Sequence, residues 1–290
     1  MSTARKRPIV HRLADTILSG GVTEYLGAQV LRRCATFTSI FAILSATVML
    51  ACRPGTWTPP VRAIFARQLL FTSVDAIFLT VRFGAAVGIL LIVQAALWID
   101  TLGVTTDVIA PMLWRAIVRE IAPLMACMVV IGRSGIAIST ELAMMLVNGE
   151  IEVLDSQGID PMTCLVMPRI LSIIISVFCL AVILATTMIV TGYVIGWSVG
   201  SIRLPWSDFL QVIIREFTSL DLLFFVPKTI LAGAFAGAIC CIDGLNIRGS
   251  VSDVPRVSSR SGIRALTAVF GVSAVLSLLI YGRILVFKIV

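Results

Sequence analysis

The sequence predicts an all-α integral membrane protein with an N-terminal interfacial helix, five transmembrane helices and a short cytoplasmic helix between two of them. The first observation behind this prediction is composition. Of 290 residues, 58% are hydrophobic and 13% are charged, whereas soluble domains carry about 25% charged residues. The second is a mean hydropathy of +1.03, with the apolar residues in long runs. The third is that these runs lack the strand-like alternation of polar residues, which favours helices over a membrane barrel.

The N-terminus is predicted to stay in the cytoplasm. Residues 13–30 lack the continuous apolar core of a cleaved signal peptide. The residues before them are basic, through Arg5, Lys6, Arg7 and Arg12.

Residues 37–52 are apolar, but they are fewer than the about 20 residues that a helical crossing needs. Breaks at Arg53-Pro54-Gly55 and Pro59-Pro60 follow. The segment can cross the membrane or lie at its surface, and we favour the surface. The predicted division is therefore a basic head with an interfacial helix at 1–64 and a five-helix domain at 65–290.

Five apolar segments are long enough to cross a bilayer. They are residues 69–99, 112–147, 162–199, 221–242 and 265–287. Asp75 and Arg82 interrupt the first, and a separation of about 10 Å along the helix is too long for a direct ion pair between them. The polar loop 243–264 is arginine-rich, so it belongs in the cytoplasm with the N-terminus. Five crossings then place residues 148–161 in the cytoplasm and the C-terminus outside.

The connector 148–161 (NGEIEVLDSQGIDP) is predicted to hold a short amphipathic helix. Ile151 and Leu154 share one face, whereas the acidic residues lie mostly elsewhere, at Glu150, Glu152 and Asp155. Gly158 suits the position after a helix end, and Asp160-Pro161 suits the cap and first residue of the next helix. Such a helix is either an ordinary connector or a docking helix for a soluble cytoplasmic partner.

Charged residues inside the apolar segments need an explanation, because each costs about 2.5–3.5 kcal/mol on insertion scales. Arg119 and Glu120 lie near the outer end of the second segment, and Lys228 near the outer end of the fourth. They form either a structural ion pair between helices or a polar lining for a lipid head group. Arg133 and Glu141 lie on roughly one face, where we expect them to brace the bundle.

Two motifs are absent from the sequence, the Gly-Lys-Ser/Thr of ATP hydrolysis and the His-Glu-x-x-His of metalloproteases. The chain is therefore predicted not to be an enzyme and to bind no cofactor or metal of its own. Its seven cysteines show no metal-ligand spacing. The net charge of +7 is interpreted as setting membrane orientation, and no nucleic acid is expected as a partner.

Five sequence elements together resemble the MlaE/YrbE-type permeases, which are the membrane subunits of ABC transporters that work with MCE proteins. These elements are Arg119-Glu120-Ile121-Ala122-Pro123, Gly132-Arg133-Ser134-Gly135, Glu141-Leu142, Gly158-Ile159-Asp160-Pro161 and Pro168-Arg169. The elements are specific as a set, and the similarity runs from about residue 65 to residue 282.

The resemblance implies a homodimer in the bacterial inner membrane, with an interfacial helix and five spans in each subunit. Two ATPase subunits, which bind ATP and Mg, would dock on the cytoplasmic side. A ring of MCE-domain protein would sit on the periplasmic side with the C-terminus, and a small regulatory subunit is compatible with the family. The implied cargo is lipid, typically phospholipid, with sterol or fatty acid in the mycobacterial branch.

The resemblance also implies roles for individual residues. Arg119 and Lys228 would bind the lipid head group, and Glu120 would hold them in place. Residues 148–158 match the family's coupling helix, so the ATPase contacts would be Glu150, Ile151, Glu152, Leu154 and Asp155. The structural positions of the motif would be Gly132, Arg133, Gly135, Glu141, Gly158, Asp160, Pro161 and Arg169.

The chain departs from the family at the start of the coupling segment. The family usually has Thr-Glu-Gln there, and this chain has Asn148-Gly149-Glu150. Glycine inside a helix costs about 1 kcal/mol relative to alanine, so either the helix begins later or the ATPase contact is rearranged. Two further features indicate a divergent member of the family. Asp75 and Arg82 are charged where uncharged residues are expected, and the stretch 53–60 is atypical.

Two functions of other classes stay open on the sequence. One is an ion-coupled secondary transporter or channel that uses Asp75, Arg82 and Glu120 as an ion path. The other is a membrane anchor for a periplasmic complex.

Overall fold

The computed structural model describes residues 21–102, 106–200, 205–247 and 251–289, and within them it contains helices and no strand. This agrees with the predicted all-α fold. Residues 1–20, which include the basic head that we predicted to be cytoplasmic, lie outside the described residues.

Eleven α-helices are described, and we number them in chain order. They are α1 (Gly21–Cys52), α2 (Pro59–Leu69), α3 (Asp75–Leu102), α4 (Thr106–Arg115), α5 (Ala122–Val130), α6 (Ile136–Val147), α7 (Glu150–Ser156), α8 (Met167–Ser198), α9 (Trp206–Glu216), α10 (Ser219–Leu245) and α11 (Val254–Ile289). Short 3₁₀ helices precede α2 and α11, at Pro54–Thr56 and Val251–Asp253. The π-helical turns lie at Leu70–Val74, Ala116–Ile121, Ile131–Gly135 and Met162–Val166.

Five stretches of the described chain are long and apolar enough to cross a membrane, as the sequence predicts. We call them the first to fifth spans, and they are Pro59–Trp98, Pro111–Val147, Met162–Ser198, Ser219–Leu245 and Val251–Tyr281. The apolar part of α1, Phe37–Cys52, is shorter, so its position at the membrane surface stays a prediction. Contacts divide the chain into residues Met1–Ser45 and Ala46–Val290, and all five spans belong to the second unit.

The first span begins ten residues before the predicted start at residue 69. Pro59 and Pro60 were interpreted as a break, and they are instead the first two residues of α2. Proline is tolerated in the first helical turn, since its missing N–H has no helical partner there. The π-helical turn Leu70–Val74 then continues the helix into α3.

The fifth span also begins early, and the prediction of a polar loop over 243–264 is wrong for its second half. Helix α11 begins at Val254, so Arg256 and Arg260 lie exposed on the surface of a helix. Arginine loses little rotamer freedom in a helix, and polarity alone therefore did not mark the helix boundary.

Helices α8 and α10 form the centre of the bundle. Helix α8 packs against α3, α5 and α10, and α10 also packs against α6 and α11. Glycines allow the close approach of α10 to α8. A Cβ at Gly233 would lie 3.0 Å from Ile174 Cα, and one at Gly237 would lie 3.4 Å from Ile170 Cα. Small residues at such contacts are typical of helices packed within a membrane.

The substitution Gly88→Ala is expected to destabilise the contact between α3 and α8. Its Cβ would lie 2.5 Å from Thr191 Oγ1 and 2.6 Å from the Met188 carbonyl oxygen. Overpacking of this kind costs about 1–3 kcal/mol, which should lower the thermal unfolding midpoint in detergent. Gly271→Ala is the control, because its Cβ would meet no atom within 4 Å. Equal midpoints for the two variants would contradict this packing.

Candidate functional site

Four charged side chains meet at the end of the bundle where the second and fourth spans begin. Lys228 Nζ lies 2.5 Å from Glu120 Oε2, and Arg119 Nε lies 2.5 Å from Asp221 Oδ1. Ser277 of the fifth span joins them, with its Oγ 2.7 Å from Lys228 Nζ. We call these five residues the charge cluster, and it links three spans.

All three N–H donors of the Lys228 ammonium have acceptors in the charge cluster. The ammonium donates hydrogen bonds to Glu120 Oε2, to Ser277 Oγ and, at 3.2 Å, to the backbone carbonyl of Arg119. That carbonyl is available because Pro123, four residues further on, lacks the N–H that an α-helix would direct to it. The Arg-Glu-x-x-Pro motif therefore supplies both the Glu120 carboxylate and the Arg119 backbone acceptor for Lys228.

Asp221 has two structural roles. Its carboxylate accepts hydrogen bonds from Arg119 Nε, from Trp114 Nε1 at 3.3 Å, and from the backbone N–H of Thr218 at 3.0 Å. The last of these is half of a reciprocal capping box at the start of α10. The Arg119 guanidinium also lies 4.7 Å from the centre of the Phe224 ring.

Of the four charged side chains in the charge cluster, only that of Glu120 is not buried. Arg119, Asp221 and Lys228 expose 7%, 0% and 2% of their surfaces, whereas the Glu120 side chain is 38% exposed. The two cations are balanced by two carboxylates, so the cluster carries no formal net charge. Such an arrangement can bind and exchange charged groups at its Glu120 edge. Within the described residues, no group of three or more His, Cys, Asp or Glu side chains could hold a metal ion.

Removing the Asp221 carboxylate is expected to destabilise the fold. In Asp221→Ala, the Arg119 guanidinium would be left buried without its partner, and breaking a buried pair costs about 3–5 kcal/mol. Thermal unfolding in detergent would measure the loss. Asp208→Ala is the control, because Asp208 is exposed on α9, where substitutions usually change stability by about 0.5 kcal/mol or less. A midpoint for Asp221→Ala equal to that of the control would show that Arg119 does not depend on this pair.

Sequence reasoning brought Arg119, Glu120 and Lys228 together and missed Asp221 and Ser277. We had expected Glu120 to hold both cations, but Glu120 binds Lys228 and Asp221 binds Arg119. Thr218-x-x-Asp221 matches the capping-box pattern before an apolar run, so this signal was available. No comparable pattern marks Ser277.

Other predicted charges form ion pairs between neighbouring spans outside the charge cluster. Arg133 Nη2 lies 3.2 Å from Asp75 Oδ2, and Arg133 Nη1 donates to the Phe71 carbonyl at 3.0 Å. Arg169 Nη2 lies 2.8 Å from Glu141 Oε1. These pairs join the first span to the second and the second to the third, respectively.

The three residues of the alternative ion path have separate partners. Asp75 pairs with Arg133 and Glu120 pairs with Lys228. The Arg82 guanidinium lies 4.0 Å from the centre of the Phe78 ring.

Of the two motif glycines at Gly132-Arg133-Ser134-Gly135, only one is needed for close packing within the described chain. A Cβ at Gly135 would lie 3.0 Å from Cys240 Sγ, whereas one at Gly132 would meet no atom within 4 Å.

The predicted helix between the second and third spans is present but shorter than 148–158. Helix α7 runs from Glu150 to Ser156. Ile151 and Leu154 are half-buried, and the exposed side chains are Glu150, Glu152, Val153, Asp155 and Ser156. Helix α7 therefore presents an acidic surface on the side of the bundle opposite to the charge cluster.

Glycine at position 149 is explained by the backbone. Gly149 has φ +75° and lies outside the helix, directly before Glu150, so the helix begins later, as one of our two alternatives had it. Gly158 has φ +74° after the helix end, where glycine avoids the strain of a side chain. Asp160 accepts hydrogen bonds from the backbone N–H groups of Met162 and Thr163, at 3.1 and 3.2 Å, as its predicted capping position requires.

Comparison with known proteins gives one family and several relatives. The family model described as Permease MlaE matches residues 65–279. A probable ABC transporter permease protein of Rickettsia conorii is 28% identical over 185 residues, which cover 63% of this chain and 69% of that protein. One from Synechocystis has the same identity and coverage. The chloroplastic protein TRIGALACTOSYLDIACYLGLYCEROL 1 of Arabidopsis thaliana is 26% identical over 164 residues, 55% of this chain and 45% of that protein.

Proposed function

We propose that this chain, which belongs to the MlaE permease family and is a multi-pass permease subunit of an ABC transporter, moves phospholipid between the bacterial inner membrane and a periplasmic MCE-domain protein. Its relatives in Rickettsia and Synechocystis carry the name ABC transporter permease, and its plant relative is named after a galactolipid. The family supports a lipid as cargo, and the particular lipid is our inference.

The observation that carries this proposal is the pair of Glu120 and Lys228. A buried ammonium within a membrane span is expensive unless it is paired, and here its partner carboxylate is partly exposed. The hydrogen bonds of Lys228 are fully used, so a lipid phosphate can bind it only by replacing one acceptor. Glu120 is the acceptor that can move away, because its side chain is the most exposed of the four charged ones in the charge cluster.

A zwitterionic head group suits this exchange best. When the phosphate takes the place of Glu120 on Lys228, the freed carboxylate can pair with a positive group, such as the ammonium of phosphatidylethanolamine. Arg119 lies beside the site, where Asp221 holds its guanidinium and balances its charge. In this proposal Glu120 both holds Lys228 before substrate arrives and binds the other half of the head group afterwards.

Two copies of the chain would form the complete transport path. The spans expose large apolar side chains such as Phe78, Leu90 and Leu278, and the acyl chains would lie on such surfaces at the dimer interface. The C-terminus and the charge cluster would face the periplasm, where the MCE protein receives or delivers the lipid. A small regulatory subunit remains compatible with this assembly.

Energy would come from two ATPase subunits docked in the cytoplasm, which bind ATP and Mg. Helix α7 would be the coupling helix, and its exposed acidic residues would meet basic residues of the ATPase. The Arg169–Glu141 pair joins the two spans that flank α7, so a movement of α7 would reach both spans together.

Purification of the tagged chain from its native membrane in mild detergent tests the proposed assembly. Mass spectrometry should find an ATPase and an MCE-type protein bound to it. Recovery of the chain alone, under conditions that preserve other membrane complexes, would count against the ABC assembly. Transport driven by an ion gradient would then become the leading function. An MCE protein without an ATPase would instead indicate a membrane anchor.

A further inference from the structure

Helix α9, between the third and fourth spans, has one apolar face that the protein covers only in part. Trp206, Leu210 and Ile214 follow one another at helical spacing and are 42%, 37% and 71% exposed. One residue further along, Ser207, Gln211 and Arg215 form a parallel polar stripe, also exposed. We call these the apolar stripe and the polar stripe of α9.

Trp206, at one end of the apolar stripe, and the neighbouring Phe209 hold α9 against the third span. The Tyr193 ring lies 4.8 Å from the Trp206 ring and 4.6 Å from the Phe209 ring, measured between centroids. The apolar stripe is therefore not free to turn inward, because the packed part of the same face already fixes the rotation of the helix.

The two ends of α9 place it at the membrane boundary. The third span ends at Ser198 and the fourth begins at Ser219, so both neighbours of α9 reach the same side of the bilayer. Tryptophan and tyrosine, which are enriched where hydrocarbon meets water, surround α9 at Tyr193, Trp197 and Trp206. Trp197 is 65% exposed.

From this geometry we propose that α9 binds the lipid surface of the protein's own membrane, with the apolar stripe in the acyl boundary and the polar stripe among head groups and water. The spacing of the two stripes is that of a helix lying in the interface. The apolar stripe also continues an exposed apolar surface of the third span, through Val190, Val194 and Trp197, and Tyr193 joins the two. This continuity favours lipid over a protein partner.

The placement gives α9 a mechanical link to the charge cluster. Phe217 directly follows α9, and its ring centroid lies 6.3 Å from that of Trp114. Trp114 in turn donates to Asp221, which holds Arg119. A helix bound to the lipid surface is thus connected to the charge cluster through a short chain of contacts. The inference does not depend on which substrate the transporter moves.

Spin labels measure this placement directly. Single cysteines at Leu210→Cys, Ile214→Cys and Gln211→Cys would carry a nitroxide in the full chain, with its native cysteines replaced by alanine, in nanodiscs of phosphatidylethanolamine and phosphatidylglycerol. Oxygen concentrates in lipid and a nickel chelate stays in water, so power saturation with each reagent reports the surroundings. A label at Val194→Cys provides the lipid standard.

Labels at positions 210 and 214 are expected to resemble the one at 194, with the oxygen-to-nickel accessibility ratio several-fold above that at position 211. Nickel accessibility at 210 and 214 equal to that at 211 would place the helix in water and overturn the proposal. Low accessibility to both reagents would overturn it as well, since it would show that a second copy or another protein covers the apolar stripe.

Discussion

Replacing Lys228 with methionine is expected to lower lipid transfer by about 10- to 100-fold. A hydrogen bond to a charged group contributes about 1.5–3 kcal/mol, and each 1.4 kcal/mol is about a factor of ten. The variant removes the ammonium that would bind the lipid phosphate. Transfer of labelled phospholipid from proteoliposomes to a soluble acceptor, with the ATPase subunits present, measures the effect.

The fold should survive this substitution better than the loss of Asp221. Methionine has a flexible apolar side chain suited to a buried position. Glu120 keeps the hydrogen bond from Ser277 Oγ to its Oε1, 2.9 Å long, and its exposed edge can be hydrated. We therefore expect assembly with the ATPase to be close to that of the wild type, which the same preparation will show.

The exchange variant with both Glu120→Lys and Lys228→Glu separates binding from structure. It keeps one cation and one carboxylate in contact but reverses their positions. Transport should stay lost, because the buried position 228 no longer offers a cation to phosphate. Recovery of both stability and transport would show that the pair has only a structural role.

Reversing the charge of α7 is expected to release the ATPase. In the double variant Glu152→Lys and Asp155→Lys, two exposed carboxylates become ammonium groups facing the proposed basic surface. Substituting a residue that dominates an interface typically weakens the binding free energy by more than about 1 kcal/mol. Lysine and glutamate have similar helix propensities, so α7 itself should persist.

The readouts for α7 are the amount of co-purifying ATPase and the lipid-stimulated ATPase rate, both of which should fall by about tenfold or more. Ser259→Lys is the control, because Ser259 is exposed near the start of the fifth span, on the same side of the bundle as α7. Unchanged binding and ATPase rate in the double variant would remove α7 from the proposed coupling path.

How much the sequence predicts depends on whether a feature is local. Apolar length identified the five spans, and turn chemistry identified Gly158 and Asp160, because each signal lies within one continuous stretch of the chain. The span boundaries were less accurate. Pro59 begins a helix that we had interpreted as broken, and Arg256 lies on a helix that we had interpreted as a loop, since proline and arginine are compatible with either state.

The charge cluster shows the limit for contacts between helices. Their charge within apolar segments identified Glu120 and Lys228 as candidates, but it could not assign Asp221 to Arg119 or bring Ser277 to Lys228. Arg119 and Asp221 are 102 residues apart in sequence, and Lys228 and Ser277 are 49 apart. Both contacts therefore depend on how the spans pack. The two stripes of α9 are visible in the sequence, but their exposure is a property of the fold.

Reconstituted transport tests the central claim most directly. The purified complex would be placed in proteoliposomes with labelled phosphatidylethanolamine, with ionophores to dissipate ion gradients and a soluble MCE-domain protein as the acceptor. We predict that lipid transfer requires ATP hydrolysis, persists with the ionophores and is lost in Lys228→Met. Transfer that follows an ion gradient without ATP, or that is unchanged in Lys228→Met, would contradict this account.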